Sequence, residues 1–318
     1  MNKSSHLKIK PGSIIQKYGI YFVFVVIVII LTFLTKGKFV SSANIVNVLR
    51  QISINGIIAV GMTLVIITGG IDLSVGSILA FAGIIATDMA HTDSPFPLIL
   101  VILVALGIGC VCGLINGVIV SYVGAPAFVV TLGMMSAARG ATQIYCGGAP
   151  ITDLSDTFEQ LGKGSWAGIP IPVIVLAIVV IITFVLLHQS KFGRYLYAVG
   201  GNEEAAYASG VNVKGTRTLA YMISGLCCGL CGIILAARTS AASALAGDGY
   251  ELNAIAATVI GGTSLSGGRG TIIGTIIGAL IIGSISNGLD LLNVSSYVQQ
   301  VVKGAIIIGA VCLDARKR

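Results

Sequence analysis

A chain of 318 residues that is 55% hydrophobic, only 10% charged and has a mean hydropathy of +0.98 has too little polar surface for a soluble fold, in which about a quarter of residues are charged. These values exclude a soluble enzyme or binding domain and predict an all-α, polytopic membrane protein of several spans. The net charge of +7 would suit nucleic acid, but its placement along the chain has a better explanation, and no nucleic-acid partner is expected. The 42 glycines predict close helix contacts and broken helices. The seven cysteines lie almost wholly in apolar runs and read as packing residues rather than a disulfide framework.

Residues 1–17 carry Lys3, Lys8, Lys10 and Lys17, and residues 18–35 are almost entirely apolar. A basic tail before a run of span length, with no small-residue cleavage site, places the N-terminus in the cytoplasm. Asn44 is positioned to cap the second helix, which is amphipathic over 45–55 and fully apolar over 56–67. The break Gly69-Gly70-Ile71-Asp72-Leu73-Ser74 leads into a third span over 73–86, and Asp88, His91, Asp93 and two prolines mark an exit on the far side. Span four covers 97–122 and span five 127–145, joined by the turn Gly124-Ala125-Pro126. A long outer loop over 146–170 precedes span six at 171–188. Span seven covers 218–237, an outer loop 238–250, a short apolar run 252–265, span nine 271–292 and span ten 297–312. The chain thus reads as one transmembrane domain, 1–318. Its halves, about 18–188 and 218–313, are joined by a cytoplasmic loop at 189–217.

The basic residues support this topology. Twelve of the 19 Lys and Arg fall on proposed cytoplasmic segments: Lys3, Lys8, Lys10, Lys17, Lys191, Arg194, Lys214, Arg217, Arg269, Arg316, Lys317 and Arg318. Four fall outside, which is the positive-inside asymmetry of a multi-pass protein with both termini in the cytoplasm. About ten spans result, of which the third and eighth are short enough to be re-entrant.

Residues 200–213, GGNEEAAYASGVNV, form the one polar island between the halves. Asn202 can cap a helix, and Glu203 and Glu204 place negative charge in its first turn. Ala205, Ala206 and Ala208 favour helix, Tyr207 is a candidate anchor, and Ser209 and Gly210 end it. So short a helix needs support from the domain beneath it or a partner above it.

Asp72 is the buried carboxylate of the first half and, with Ser74, reads as a cap for span three. Arg139 lies two turns inside the end of span five, placed to snorkel or to hydrogen-bond a polyhydroxyl solute. Arg238, Asp248, Tyr250 and Glu251 flank the outer mouth, where a docking protein could sit. GGIDLSVG at 69–76 and GGTSLSGG at 261–268 share GGxxLSxG, 192 residues apart, as glycine-interrupted pairs do near the path of two-repeat transporters. Gly69, Gly70, Asp72, Ser74, Arg139, Gly261, Gly262 and Ser264 are the candidate path residues. The CxxC at Cys228 and Cys231 lies within span seven and reads as helix packing. The glycine cluster at 261–270 lacks the Lys-Ser/Thr ending of a phosphate-binding loop, and the three histidines are scattered. Neither a metal centre nor a catalytic constellation is expected.

Three stretches carry a family resemblance: AVGMTLVIITGGIDLSVGSILA (59–80), FGRYLYAVGGNEEAAYASGVNV (192–213) and GYELNAIAATVIGGTSLSGGRGTIIGTIIGALI (249–281). They resemble the membrane permease subunit of ribose-type sugar importers of the ATP-binding-cassette class. The resemblance covers essentially the whole chain. It implies a type II importer architecture in the bacterial inner membrane, a second permease chain (identical or paralogous) and an extracytoplasmic sugar-binding protein. It also implies cytoplasmic ATPase subunits that hold the ATP and Mg2+, so that this chain carries no cofactor. By position, residues 202–213 are similar to the family's coupling helix, and Ala206→Glu or Tyr207→Asp is expected to uncouple hydrolysis from uptake. The competing readings are an ion-coupled secondary transporter, which would need intramembrane charge pairs, a membrane enzyme, and a non-transporting scaffold.

Overall fold

The computed structural model describes residues 11–93 and 95–315, with side chains placed for 19–93 and 95–312. Lys3, Lys8, Lys10, Arg316, Lys317 and Arg318 lie outside the described residues, and Lys17 is described in its backbone alone. Among the described residues the chain is thirteen α-helices and one two-stranded hairpin. The helices are α1 (Pro11–Leu34), α2 (Ser42–Ile67), α3 (Val75–Met89), α4 (Leu98–Val118, prolonged by a π-turn over Ile119–Val123), α5 (Ala127–Cys146), α6 (Asp156–Lys163) and α7 (Ile171–Gln189). After them come α8 (Lys191–Gly201), α9 (Glu203–Ala208), α10 (Val213–Thr239), α11 (Tyr250–Ile260), α12 (Ile272–Leu291) and α13 (Ser296–Ala315).

Among the described residues, five helices are long and apolar enough to cross a membrane on their own: α2, α4 with its π-turn, α7, α10 and α12. The stretches 19–34, 75–89, 250–260 and 296–312 are shorter apolar helices. Helix α5 has span length but carries Thr131, Ser136, Arg139, Thr142 and Gln143. The apolar windows of α2 and α10 are 89% and 67% buried, against 28% and 17% for α4 and α7, so α2 and α10 form the centre and α4 and α7 the periphery.

Glycine spacing explains why α10 sits where it does. Gly109, Gly113 and Gly117 recur every fourth residue on one face of α4 and lie directly on the backbone of α10 at Gly225, Tyr221 and Thr218. Gly83 of α3 does the same at Gly232. Lipid tails are as apolar as leucine, so backbone approach and dispersion must hold such helices together. Helices α2 and α12 are joined by polar pairs as well. Asn44 and Asn287 exchange amide hydrogen bonds of 2.8 and 3.0 Å, and the Thr63 and Thr275 hydroxyls lie 2.7 Å apart. This corrects the expectation for Asn44: Ser41 precedes the first turn of α2, and Asn44 is buried in an interhelical pair.

Of three connections expected as loops, 146–170 contains α6 and a hairpin, 189–217 contains a helix beyond the expected one at 202–210, and 238–250 takes a defined path. The 189–217 connection contains two helices, with α8 capped by Ser190, whose hydroxyl accepts from Gly193 N. Residues 240–249 leave the end of α10 and run back along α3 until Gly247 meets the backbone of Gly76. Helix α11 therefore starts partway down; its 11 residues rise about 16 Å, roughly half a hydrocarbon core. At this far end α6 packs the fully buried Phe158 among Leu154, Ile233, Ala236 and Ala237, followed by the hairpin of β1 (Ser165–Trp166) and β2 (Ile169–Pro170).

The two glycine breaks share one conformation. After α2, Gly69 (φ 81°) donates to Ile66 O and Gly70 to Val65 O; after α11, Gly262 (φ 89°) donates to Val259 O and Thr263 to Thr258 O. Both are left-handed helix stops. The matching glycines are Gly69 and Gly262, one residue out of step with the GGxxLSxG echo.

Candidate functional site

The polar island stands clear of the helix core. Asn202 Oδ1 accepts from Ala205 N at 2.9 Å, capping α9. Glu203 is held by Arg217 of α10, at 2.6 Å from Nη2 and 3.4 Å from Nη1. Ala206 faces inward, buried with Val199, Val211 and Val213. Its neighbours Glu204, Ala205, Tyr207, Ala208, Ser209 and Gly210 are exposed, Tyr207 at 76%. A six-residue helix is thereby pinned by one methyl group, one cap and one ion pair, and presents an aromatic ring outward. Ala206→Glu would therefore break the pinning of α9, whereas Tyr207→Asp alters only what α9 presents.

The path candidates separate into two places. Asp72 and Ser74 are wholly enclosed. Asp72 Oδ1 accepts from the Ser74 amide at 3.0 Å and hydroxyl at 2.5 Å, and Oδ2 accepts from Ser224 at 3.4 Å. Asn116 of α4 donates to the Ser74 hydroxyl at 2.9 Å. Helix α3 starts at Val75 with no side-chain cap, so Asp72 closes an Asx-turn and ties the break to α4 and α10 rather than capping α3. Asn116 and Ser224 were not singled out from the sequence, although an Asn in the middle of an apolar run is a usable signal. Gly69 and Gly262 are exposed at the breaks, Gly70 and Ser264 are buried, and Gly261 is packed on Gly274 of α12.

Arg139 lies elsewhere. Its Nη1 donates to the carbonyls of Ala244 and, at 2.8 Å, Ala246, which holds the descending 240–249 segment against α5. Asp248 and Glu251 act on it as opposing charges. Glu251 Oε1 accepts from Gly249 N at 3.2 Å, and Oε2 lies beside the Gly76–Gly247 contact. A cavity of about 390 Å³ opens beside this segment, lined by Leu79, Gly83, Gly232, Thr239, Ser243 and Tyr250 among others. Of the four expected docking residues, Asp248 is exposed, while Arg238, Tyr250 and Glu251 are half-buried. The structure thus places Asp248 and Glu251 with Arg139, a residue far away in sequence.

A multi-pass helical bundle with paired helix breaks, a segment that runs back along α3 and a short capped helix outside the core is compatible with a membrane permease. Residues 44–311 match the family described as branched-chain amino acid transport system / permease component, and the chain belongs to that family. It is 47% identical to the ribose import permease protein of Bacillus subtilis over 312 residues, covering 98% of this chain and 96% of the relative. It is 46% identical to the ribose import permease protein of Escherichia coli K12 over 88% of each chain. It is also 40% identical to the D-allose transport system permease protein of that strain, over 94% of this chain and 91% of the relative. No solved structure matches the chain significantly.

Proposed function

We propose that this chain is the membrane-spanning subunit of an ATP-binding-cassette importer that carries a monosaccharide, ribose or a similar pentose or hexose, across the bacterial inner membrane. The carrying observation is the 47% identity to a ribose permease along 98% of the chain. The family description names branched-chain amino acids, but the full-length sugar permeases are the more specific likeness. Arg139, Asp248, Glu251, Tyr250 and Ser243, gathered around the descending segment, are donors and acceptors of the kind a polyhydroxyl solute needs.

In this reading the chain has ten spans with both termini in the cytoplasm, in the type II importer architecture, and the α9 end faces the cytoplasm. A second permease chain completes the path, an extracytoplasmic binding protein delivers the sugar, and ATPase subunits hold ATP and Mg2+. Closure of the ATPase pair shifts α9, which biases the membrane helices between outward-open and inward-open packings. Arg139, Asp248 and Glu251 line the entrance side, and the glycine breaks allow the helices to re-aim. Proteoliposomes carrying this chain with its ATPase and binding protein test the substrate class against ribose, xylose, allose and leucine. ATP-dependent uptake of one of the sugars is the expected result; uptake of leucine alone would contradict it.

A further inference from the structure

Gly200, in the last turn of α8, has no room for a side chain. A Cβ there would overlap the Ile67 carbonyl oxygen at the end of α2 and come within 2.5 Å of Gly268 N. The contact is as close from the other side. A Cβ on Gly267 would stand 2.9 Å from Gly200 O, 3.0 Å from Gly69 N and 3.0 Å from Ile67 O. Gly267 (φ 85°) and Gly268 (φ 72°) both take the left-handed conformation, and Gly268 N donates to Ile67 O at 2.9 Å. The Tyr197 hydroxyl, one turn back on α8, donates to Gly270 O at 2.7 Å, and burial pushes that phenol up, so it remains a donor at neutral pH. Three stretches far apart in sequence thus meet backbone to backbone: the helix that leads into α9, the break after α2 and the break between α11 and α12.

Backbone contacts of this kind have no rotamers to absorb a displacement, unlike a side-chain interface. The flanking glycines at 69 and 262 supply stops that can re-aim each helix without steric penalty. We propose that Gly200, supported by Tyr197, is the positioning contact that makes the two helix breaks move as one when α9 is displaced. A shift of α8 carries Ile67 and residues 267–270 with it, so α2, α3 and α12 are re-aimed together rather than one by one. This rests on the reading of α9 as the coupling helix. Gly201, the next residue, is exposed and has no atom within 4 Å of an added Cβ, so the demand for glycine is specific to position 200.

The test is the number of solutes carried per ATP hydrolysed by the reconstituted importer. Gly200→Ala and Tyr197→Phe should each lower that ratio about three- to tenfold while hydrolysis continues. Gly201→Ala should leave it unchanged. Tyr197→Phe removes one oxygen and no packing volume, so it reads the contact even if Gly200→Ala reduces the yield of folded complex. A wild-type ratio in Tyr197→Phe, together with a Gly200→Ala complex that is merely scarcer, would overturn the proposal. Tyr207→Asp run in parallel separates the two levels. If it uncouples while the joint variants do not, the joint is wrong and the coupling role of α9 stands. If it too behaves as wild type, the coupling role itself fails.

Discussion

Asp72 is fully enclosed, and the groups that hydrogen-bond its carboxylate are neutral: one amide and two hydroxyls. Such a group is tolerable in a membrane protein only while its partners are satisfied. Asp72→Asn keeps an acceptor for Ser74 and should leave the melting temperature in detergent close to wild type. Asp72→Ala strands the Ser74 and Ser224 donors and should cost about 1–3 kcal/mol, measured as a lower melting temperature. A second residue-scale test lies at the far end, where Glu159 accepts from Lys163 at 2.7 Å and from Ser240. The Lys163 hydrogen bond, followed by that of Ser240, holds the Glu159 carboxyl below its ordinary value of 4.5. The stabilisation is therefore present above that value and fades as pH falls through the lowered one. Protection factors of the 156–163 amides should fall on acidification relative to those of the rest of the chain, and Glu159→Gln should remove that difference.

At the scale of elements, the α4–α10 contact depends on glycines where backbones touch. Gly113→Val should push the helices apart at Tyr221, costing at least about 1–3 kcal/mol as overpacking and reducing folded protein after extraction. Gly107→Val, on the same helix but with open space around it, should be neutral. Equal behaviour of the two variants in a thermal-stability assay would refute this account of the contact. The elements also show what the sequence could reveal. Spans α4, α7, α10 and α12 were legible because composition alone makes them long apolar runs. Helix α8 was not, because KFGRYLYAVGG mixes charge, aromatic rings and three glycines, and its burial comes from packing on α7, α9, α10 and the end of α2. The dip of 240–249 was hidden for a similar reason: Ser240-Ala241-Ala242-Ser243-Ala244 reads as a loop whichever way it travels. Asn44 stands where a cap is expected, and only its distant partner Asn287 reveals the pair. Arg139 was visible as an intramembrane charge, but its association with Ala246, Asp248 and Glu251 is tertiary.

For the whole molecule, the chain belongs to a permease family and resembles sugar permeases along nearly its full length. The proposed division of labour is that this subunit gates and a separate ATPase drives. In that proposal the short helix α9, with Tyr207 outward and Ala206 inward, would connect them. The most direct test is uptake by proteoliposomes containing this chain, with and without its ATPase and binding protein, in the presence of ATP or of an ion gradient. The account predicts sugar accumulation only with all components and ATP, and its loss in Tyr207→Asp while the protein stays folded. Accumulation driven by an ion gradient in liposomes holding this chain alone would contradict it.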